Sequence, residues 1–482
     1  MNSSAKSAAD SEARAALLRQ IPSVDQLLAL PRLRLLVTRA DRGIVVEVAR
    51  AVLADLRARI TGERDINLIV LHSAQLEPGQ LGERIAAEVE RAFAVSLLPV
   101  INATGVILHT NLGRAALSAA SINHLRQPAT QYSNLEYDLE AGARGKRDVH
   151  TARLLEHLTG AEAAIVVNNC AAAVLLVLAA LAKGGEVIVS RGELIEIGDG
   201  FRIPEIMAES GALLHEVGTT NRTKLADYES AVNDRTRLLL RVHPSNFRVV
   251  GFTERPALEE LAALAARTGL PLMEDLGSGC LVDLSAHGVN EPVVRASIEA
   301  GASLVTFSGD KMVGGPQAGI IAGQKELVGR IRRHPLFRAL RVDKLCIAAL
   351  ETTLSAYLSG NLDEVPTLRM IRLGADAIRT RARDFVFTLR SQVPAGEVEL
   401  DIVPGASLIG GGSTPDRELP THLIRITTTR YSAAQLEARL RRAPKGISVI
   451  ARVEADRLII DLRTVFPEQE DILSATISSV LH

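Results

Sequence analysis

Between about residue 101 and residue 355, short apolar runs alternate with helical patterns and glycine turns. The segments between the runs have helical spacing, as in the Ala/Leu/Val-rich stretch after Asn168 and Asn169. Strands separated by helices predict a mainly parallel sheet covered on both faces, which is an α/β fold. The runs predict strands at Ala163–Val167, Val187–Ser190, Leu238–Val242, Leu272–Glu274 and Leu304–Phe307.

The regions on either side have different patterns. Residues 16 to about 75 have apolar positions at helical spacing, which predicts an N-terminal helical domain at 1–75 and a linker helix within 76–100. We assign 101–355 to a large domain and 356–482 to a small α+β domain. The small domain is predicted to contain strands at Glu397–Val403, Leu423–Thr427, Ile447–Arg452 and Arg457–Asp461, a glycine-rich loop at Gly405–Gly412 and a final helix at Glu468–Leu481.

Composition narrows the class of protein. The chain has 482 residues and a formal charge of −1, so no strong field indicates a polyanionic partner such as DNA. Its cysteines, Cys170, Cys280 and Cys346, form no CxxC pair, which predicts a reducing compartment and no metal site. No apolar run is long enough to span a membrane. We therefore expect a cytoplasmic protein without a membrane partner.

One lysine is placed as a nucleophile. The strand ending at Phe307 leads directly into Ser308, Gly309, Asp310 and Lys311. Desolvation at a strand end makes a lysine amine reactive toward aldehydes, and pyridoxal phosphate (PLP) binds as a Schiff base to such a lysine. PLP also needs a carboxylate at its pyridine nitrogen. Asp275, at the end of the preceding strand, is the candidate.

A second group of residues has the features of a phosphate site. Asn169, Cys170 and Ala171 lie where a strand gives way to a helix, and free N–H groups at a helix start favour an anion. Asn168 or Asn169 is equally suited to be a simple N-cap. Ser308 and Gly309 can add a hydroxyl and a backbone donor. His243 follows another strand, either as a hydrogen-bonded support or stacked on a cofactor ring.

Three arginines form a further candidate site. Arg114 ends a glycine-punctuated stretch, and Arg338 and Arg341 are three apart, hence on one face if that segment is helical. Guanidinium groups are preferred partners of oxyanions. The alternative is that Arg338 and Arg341 are solvated charges on a helix surface.

Several strings of residues resemble a known family over nearly the whole chain. The family is bacterial selenocysteine synthase, or L-seryl-tRNA(Sec) selenium transferase. The resemblance implies a PLP-dependent transferase of fold type I, a homodecamer, and an N-terminal domain that reads tRNA(Sec). The strings are 101–114, Ser190–Gly198 with Phe201–Pro204, Glu274–Gly279, Ser308–Lys311 and His334–Arg341.

The resemblance also implies roles. Lys311 matches the PLP lysine, Asp275 the pyridine-nitrogen partner and Asp310 the acidic neighbour of the lysine. Arg114, Arg338 and Arg341 match arginines that hold selenophosphate. Cys170 departs from the usual phosphate loop, which leaves its donors open. The expected reaction converts L-seryl-tRNA(Sec) to L-selenocysteinyl-tRNA(Sec) by loss of water and addition of selenium to a dehydroalanyl intermediate.

Two other functions fit part of the pattern. A small-molecule PLP-dependent lyase of the same fold, for example one that releases ammonia from a phosphorylated amino sugar acid, would use the same lysine and aspartate. The long N-terminal helical region favours the tRNA function, because such a lyase does not need it. A non-enzymatic tRNA-binding or scaffold protein would not need Lys311 and Asp275.

Overall fold

The chain divides into two compact units, Met1–Leu98 and Pro99–His482. The computed structural model describes residues 12, 14–62, 76–197, 200–414, 417–443 and 446–482. The domain boundary expected at residue 75 lies outside the described residues.

The N-terminal unit is helical. Ser23 caps its second helical segment, because its hydroxyl accepts from the Gln26 N–H and the Gln26 side chain accepts from the Ser23 N–H. Leu27, Leu33 and Ile85 are buried in its core. The helix Pro78–Phe93, which the sequence pattern assigned to a linker, contributes Ile85 to this core. The helices are residues 14–20, Val24–Leu28, Pro31–Arg39, Arg42–Gly62 and Pro78–Phe93.

The second unit is built on a seven-stranded sheet with the order β1-β7-β6-β5-β4-β2-β3. Every neighbouring pair is parallel except those that β7 makes, which are antiparallel. The mainly parallel α/β fold predicted from the sequence is therefore confirmed. The strands are β1 Ala163–Val167, β2 Glu186–Ser190, β3 Leu213–Val217, β4 Thr236–Val242, β5 Leu272–Gly277, β6 Leu304–Ser308 and β7 Gly319–Gly323.

Helices accompany the sheet, and the helix Cys170–Leu181 is apolar on nearly all sides because it is almost wholly buried. Val149–Thr159 ends at Gly160, which has the left-handed conformation that stops a helix. The further helices are Ala119–Thr130, Ile203–Ser210, Leu225–Ala231, Leu258–Thr268, Val294–Glu299, Lys325–Arg333, Pro335–Ala339, Lys344–Leu358 and Pro366–Arg372.

Strand register positions the site. Asp275 on β5 lies opposite Val242 on β4 and opposite Thr306 on β6. Because these strands are parallel, the segments that follow them emerge at the same edge of the sheet. The helix that begins at Cys170 starts at this edge too, since it follows β1, which runs in the same direction as β6. Ligands of open α/β sheets bind at this carboxyl edge.

The C-terminal part forms a smaller, five-stranded sheet. The glycine-rich segment expected as a loop at Gly405–Gly412 is mostly strand, because Val398–Gly410 pairs along its length with Glu418–Thr428. The segment expected as one strand at Ile447–Arg452 contains the short strand Val449–Ile450 and the first residue of a second one, Arg452–Glu454. The other elements are strands Val106–Leu108, Val449–Ile450, Arg452–Glu454 and Arg457–Asp461, and helices Ala375–Arg390, Ala433–Arg442 and Glu470–Leu481.

The start of the expected large domain also belongs to this region. Val106–Leu108 pairs with Val398–Gly410, and Ile101–Asn102 pairs with Val449–Ile450. Two small hairpins complete the structure, Tyr137–Asp138 with Ala143–Arg144 and Glu196–Ile197 with Phe201–Arg202. Residues 101–108 thus join the C-terminal sheet to the rest of the second unit.

Candidate active site

Lys311 lies buried in the turn after β6, with 7% of its surface exposed. A Cβ atom at Gly277 would lie 3.9 Å from Lys311 Nζ, and one at Gly412 would lie 3.8 Å from it. Both glycines have positive φ, which a side chain disfavours. The amine therefore lies between the end of β5 and the turn after the Val398–Gly410 strand.

Asp275 is buried at the end of β5 and accepts two hydrogen bonds at one oxygen. Thr306 Oγ1 donates to its Oδ1 at 2.9 Å and Cys170 Sγ donates at 3.4 Å. Burial raises the pKa of Asp275, although these bonds and the nearby Lys311 oppose the rise. A cation next to the other oxygen of Asp275 would favour the ionised carboxylate. A protonated pyridine nitrogen is such a cation.

Cys170 does not act through a thiolate. Burial, followed by the adjacent Asp275 charge, raises the pKa of the Cys170 thiol well above its ordinary value. The thiol is therefore protonated and donates to Asp275. The sequence leaves open how Cys170 affects the phosphate loop. In the structure its side chain is directed toward the Asp275 carboxylate.

The start of the helix Cys170–Leu181 combines a cap with free donors. Asn169 is the N-cap, and its side-chain oxygen accepts from the Ala172 N–H at 2.8 Å. Over the described residues, the N–H groups of Cys170 and Ala171 have no acceptor. A Cβ atom at Gly319 on β7 would lie 2.0 Å from the Asn169 carbonyl oxygen, so a glycine is required there. The two free N–H groups suit a phosphate.

Asp310 forms an ion pair with Arg114 and so connects it to the lysine loop, the turn Ser308–Lys311. Arg114 Nη1 lies 2.8 Å from Asp310 Oδ2, and Ser308 Oγ donates to Asp310 Oδ1 at 2.6 Å. The Gly309 N–H donates to the Ala318 carbonyl at 2.8 Å, so it is not free for a phosphate. Of the predicted arginines, Arg114 is the one that contacts this loop.

Arg338 and Arg341 do not share a helix face. The helix Pro335–Ala339 includes Arg338 but ends before Arg341, because Arg341 forms a β-bridge with Val167 at the end of β1. Arg341 Nη1 lies 3.0 Å from Glu136 Oε1, and Arg338 is exposed. The condition for a shared face, one helix that includes both residues, is therefore not met. The Arg341 backbone nevertheless lies beside the start of the phosphate loop.

His243 has the contacts of a supporting residue. Its backbone N–H donates to the Asp275 carbonyl at 2.9 Å, and its Nε2 lies 3.4 Å from Glu291 Oε1. Glu291 is itself buried. The first contact fixes the His243 backbone beside Asp275, and the second fixes the imidazole. Both lie at the carboxyl edge of the sheet.

Four further polar residues were not singled out from the sequence. Within the described ranges, Asn246 Oδ1, Ser278 Oγ, Ser413 Oγ and Thr414 Oγ1 are buried without a hydrogen-bond partner. Ser278 follows Gly277, and Ser413 and Thr414 follow Gly412, which are the two glycines beside Lys311 Nζ. Buried polar atoms normally have a hydrogen-bond partner, which a bound polar group can supply here. The residues present therefore fit a polar cofactor with a phosphate.

A buried lysine, a buried aspartate on the neighbouring strand and a helix start with free N–H groups occupy one edge of a mainly parallel sheet. This combination defines a PLP-dependent enzyme of fold type I. Comparison with known proteins places it more narrowly.

The chain belongs to the L-seryl-tRNA selenium transferase family, which it matches over residues 100–466. Residues 18–57 match the selenocysteine synthase N-terminal family. The L-seryl-tRNA(Sec) selenium transferase of Geobacter sulfurreducens is 48% identical, covering 96% of this chain and 98% of that protein. The protein of the same name from Moorella thermoacetica is 49% identical, covering 96% and 97%. The family resemblance drawn from the sequence is confirmed.

A solved structure shares the fold. D-Glucosaminate-6-phosphate ammonia-lyase aligns with a TM-score of 0.55 and 21% identity, covering 80% of this chain and 96% of that one. Over the described residues, no group of three or more His, Cys, Asp or Glu could hold a metal ion. No helix in those ranges is long and apolar enough to cross a membrane.

Proposed function

We propose that this protein converts L-seryl-tRNA(Sec) to L-selenocysteinyl-tRNA(Sec) with selenophosphate as the selenium donor. The observation that carries the proposal is the family match together with Lys311 and Asp275 at one sheet edge. The relatives from Geobacter and Moorella carry this activity in their names. The reaction removes the Cα proton and the seryl hydroxyl as water, adds the selenium of selenophosphate at Cβ and returns a proton to Cα. Water then cleaves the P–Se bond, and phosphate is released.

Bound PLP supplies an electron sink for the carbanion at Cα. Lys311 would hold the cofactor, and its buried amine is placed to move the proton at Cα. Asp275 would keep the pyridine nitrogen protonated, and Thr306 fixes the carboxylate by its hydrogen bond. The N–H groups of Cys170 and Ala171 would hold the phosphate, with Asn169 capping the same helix.

Selenophosphate is a compact oxyanion, so charge must localise it. Arg114 is the first candidate, because Asp310 holds it beside the lysine loop while its Nε has no hydrogen-bond partner among the described residues. Asp310 thereby acts as a positioning residue, and Ser308 orients Asp310 in turn. Arg341 and Arg338 complete the proposed donor site from the segment beside the phosphate loop.

The N-terminal unit is proposed to read tRNA(Sec). Its match to the selenocysteine synthase N-terminal family supports this role. The family resemblance also underlies two further parts of the proposal, assembly as a homodecamer and a cytoplasmic location. Light scattering on the purified protein tests the assembly.

The test measures selenocysteinyl-tRNA formation from seryl-tRNA(Sec), selenophosphate and the PLP-loaded protein. We expect conversion by the wild type and by Lys325→Ala, an exposed control lysine, and none by Lys311→Ala. Borohydride reduction followed by peptide mapping should place the pyridoxyl group on Lys311. Release of ammonia from a phosphorylated amino sugar acid, without action on seryl-tRNA(Sec), would establish the lyase instead.

A further inference from the structure

A cavity of about 640 Å³ opens next to the candidate active site. His243 and Thr414 line it, and both lie close in the chain or in space to the candidate site. His243 is bonded through its backbone to Asp275, and Thr414 lies two residues after Gly412, beside Lys311 Nζ. The cavity therefore lies next to the residues proposed to hold the cofactor.

The walls of this cavity have uncompensated positive charge. Two of the three wall carboxylates pair with an arginine, Glu193 with Arg241 and Glu254 with Arg222, and Glu291 lies 3.4 Å from His243 Nε2. Three exposed arginines remain, and in the described parts of the chain none has a carboxylate at ion-pair distance or a hydrogen-bond acceptor. They are Arg248, Arg255 and Arg417.

Two more observations indicate a ligand. The buried Thr414 Oγ1 has no hydrogen-bond partner in the described ranges, although Thr414 lines the cavity. The segment after Arg248 exposes Val249, which lines the cavity, and Val250 and Phe252 beside it. Phe252 is 75% exposed, and the Arg222 guanidinium lies over its ring, 4.2 Å from the centroid. Arginines beside exposed aromatic and apolar side chains are typical of surfaces that bind single-stranded nucleic acid.

We propose that this cavity binds the single-stranded 3′ end of the tRNA. Arg248, Arg255 and Arg417 contact its phosphates, and the terminal nucleotide lies between them and Lys311. The inference rests on the proposed function, because a seryl ester carries a ribose and an adenine only a few bonds from the reacting carbon. A site for serine alone would need neither this volume nor three unpaired arginines.

The experiment compares the PLP-loaded full chain with the triple variant Arg248→Ala, Arg255→Ala, Arg417→Ala. Binding is measured for tRNA(Sec) with its terminal CCA and for the same tRNA lacking those nucleotides. We expect the wild type to bind the intact tRNA more tightly, by about tenfold or more, and the variant to bind both equally. The salt dependence for intact tRNA should fall by about two in log–log slope, as expected for about three lost phosphate contacts.

Control variants separate charge from structure. Arg379→Ala, Arg383→Ala, Arg442→Ala removes three exposed arginines that do not line the cavity, and we expect it to bind like the wild type. Replacing the three cavity arginines by lysine keeps their charge and should restore most of the preference for the intact end. An unchanged preference in the alanine variant would overturn the inference.

Two other outcomes are equally decisive. If the alanine variant binds intact tRNA normally but needs more selenophosphate, the cavity is the donor site and the inference is wrong. Conversion of seryl-tRNA(Sec) by the wild type is measured in parallel. Absence of conversion contradicts the proposed function itself, whereas normal conversion with no effect of the CCA end contradicts only the inference.

Discussion

The buried carboxylate of Asp275 favours binding of the cofactor but destabilises the folded protein when no cofactor is bound. Burial raises its pKa above the ordinary value of 3.8, so the folded chain binds this proton more tightly than the unfolded chain does. Without cofactor, the free energy of unfolding therefore falls as pH rises from about 3.8 through the folded-state pKa. Above that range the whole destabilisation is present.

Asp275→Asn removes this cost together with the charge. We expect the cofactor-free variant to have a melting temperature at pH 7 equal to or above that of the wild type, with a smaller advantage at pH 4. Turnover should fall by about 100-fold or more, because the pyridine nitrogen loses its anionic partner. Thermal melts of both cofactor-free proteins and activity of the loaded ones check this. A variant that melts lower only at neutral pH would contradict it.

Cys170 is the residue most easily mistaken for a selenium carrier. Burial and the Asp275 charge raise the pKa of its thiol, so almost no thiolate exists at neutral pH. We expect Cys170→Ala to lose no more than about tenfold in activity, since one weak hydrogen bond disappears. Iodoacetamide at pH 7 should leave the wild type active. Loss of all selenium transfer in the variant would give the thiol a chemical role.

At this scale the sequence locates backbone positions better than side-chain directions. Lys311 and Asp275 stand out because each ends a strongly apolar run, which fixes both at one sheet edge. The contact of Cys170 with Asp275 depends on how the first helical turn faces β5. The pairing of Arg341 with Glu136 joins residues far apart in the chain. No local pattern contains that information.

Gly319 allows the strand β7 to pack closely against the backbone of the phosphate loop. A Cβ atom at Gly319 would lie 2.0 Å from the Asn169 carbonyl oxygen, which is backbone and has little room to move. We expect Gly319→Ala to lower the free energy of unfolding by about 1–3 kcal/mol and to weaken PLP binding. Denaturant unfolding and cofactor titration measure the two effects.

The matched control is Gly329→Ala, inside the helix Lys325–Arg333, where the added methyl meets only the end of the Arg333 side chain at 3.5 Å. We expect no loss there, and a gain of about 0.5–1 kcal/mol from helix propensity. Equal effects of both substitutions would show that the close approach at Asn169 does not constrain the loop.

Elements with continuous apolar burial were the most predictable. β1 has the predicted bounds, and β2, β4 and β6 extend the predicted strands by only one or two residues, because buried parallel strands have nearly continuous apolar sequence. The Val398–Gly410 strand was read partly as a loop, since its glycines weaken the local strand signal. Hydrogen bonding with Glu418–Thr428 stabilises this strand despite its glycines. The local sequence does not show which segment will pair with it.

At the scale of the whole molecule, tRNA recognition and chemistry are proposed to reside in different units. The helix Pro78–Phe93 looked like a linker because amphipathic spacing does not say which neighbour covers its apolar face. In the structure Leu81, Ile85 and Val89 lie in the N-terminal core. Every residue proposed for cofactor and donor binding belongs to the second unit, Pro99–His482. Recognition and chemistry should therefore be separable by truncation.

Deleting residues 1–98 tests this separation. The remaining unit keeps its own core and every proposed PLP contact, so we expect it to bind PLP with the absorbance of a lysine adduct that borohydride removes. It should no longer prefer tRNA(Sec) to tRNA(Ser), because the segment that matches the selenocysteine synthase N-terminal family is gone.

Gel shifts with both tRNAs, at low and moderate salt, measure the preference against the full chain. Phosphate contacts of the second unit should leave weak, salt-sensitive binding to either tRNA. A matched control cuts at residue 75 instead, which retains Pro78–Phe93 without the rest of the helical core and should expose the apolar face of that helix. We expect that longer fragment to aggregate more readily than the chain beginning at Pro99. Undiminished preference for tRNA(Sec) in the fragment beginning at Pro99 would place the reader in the catalytic unit.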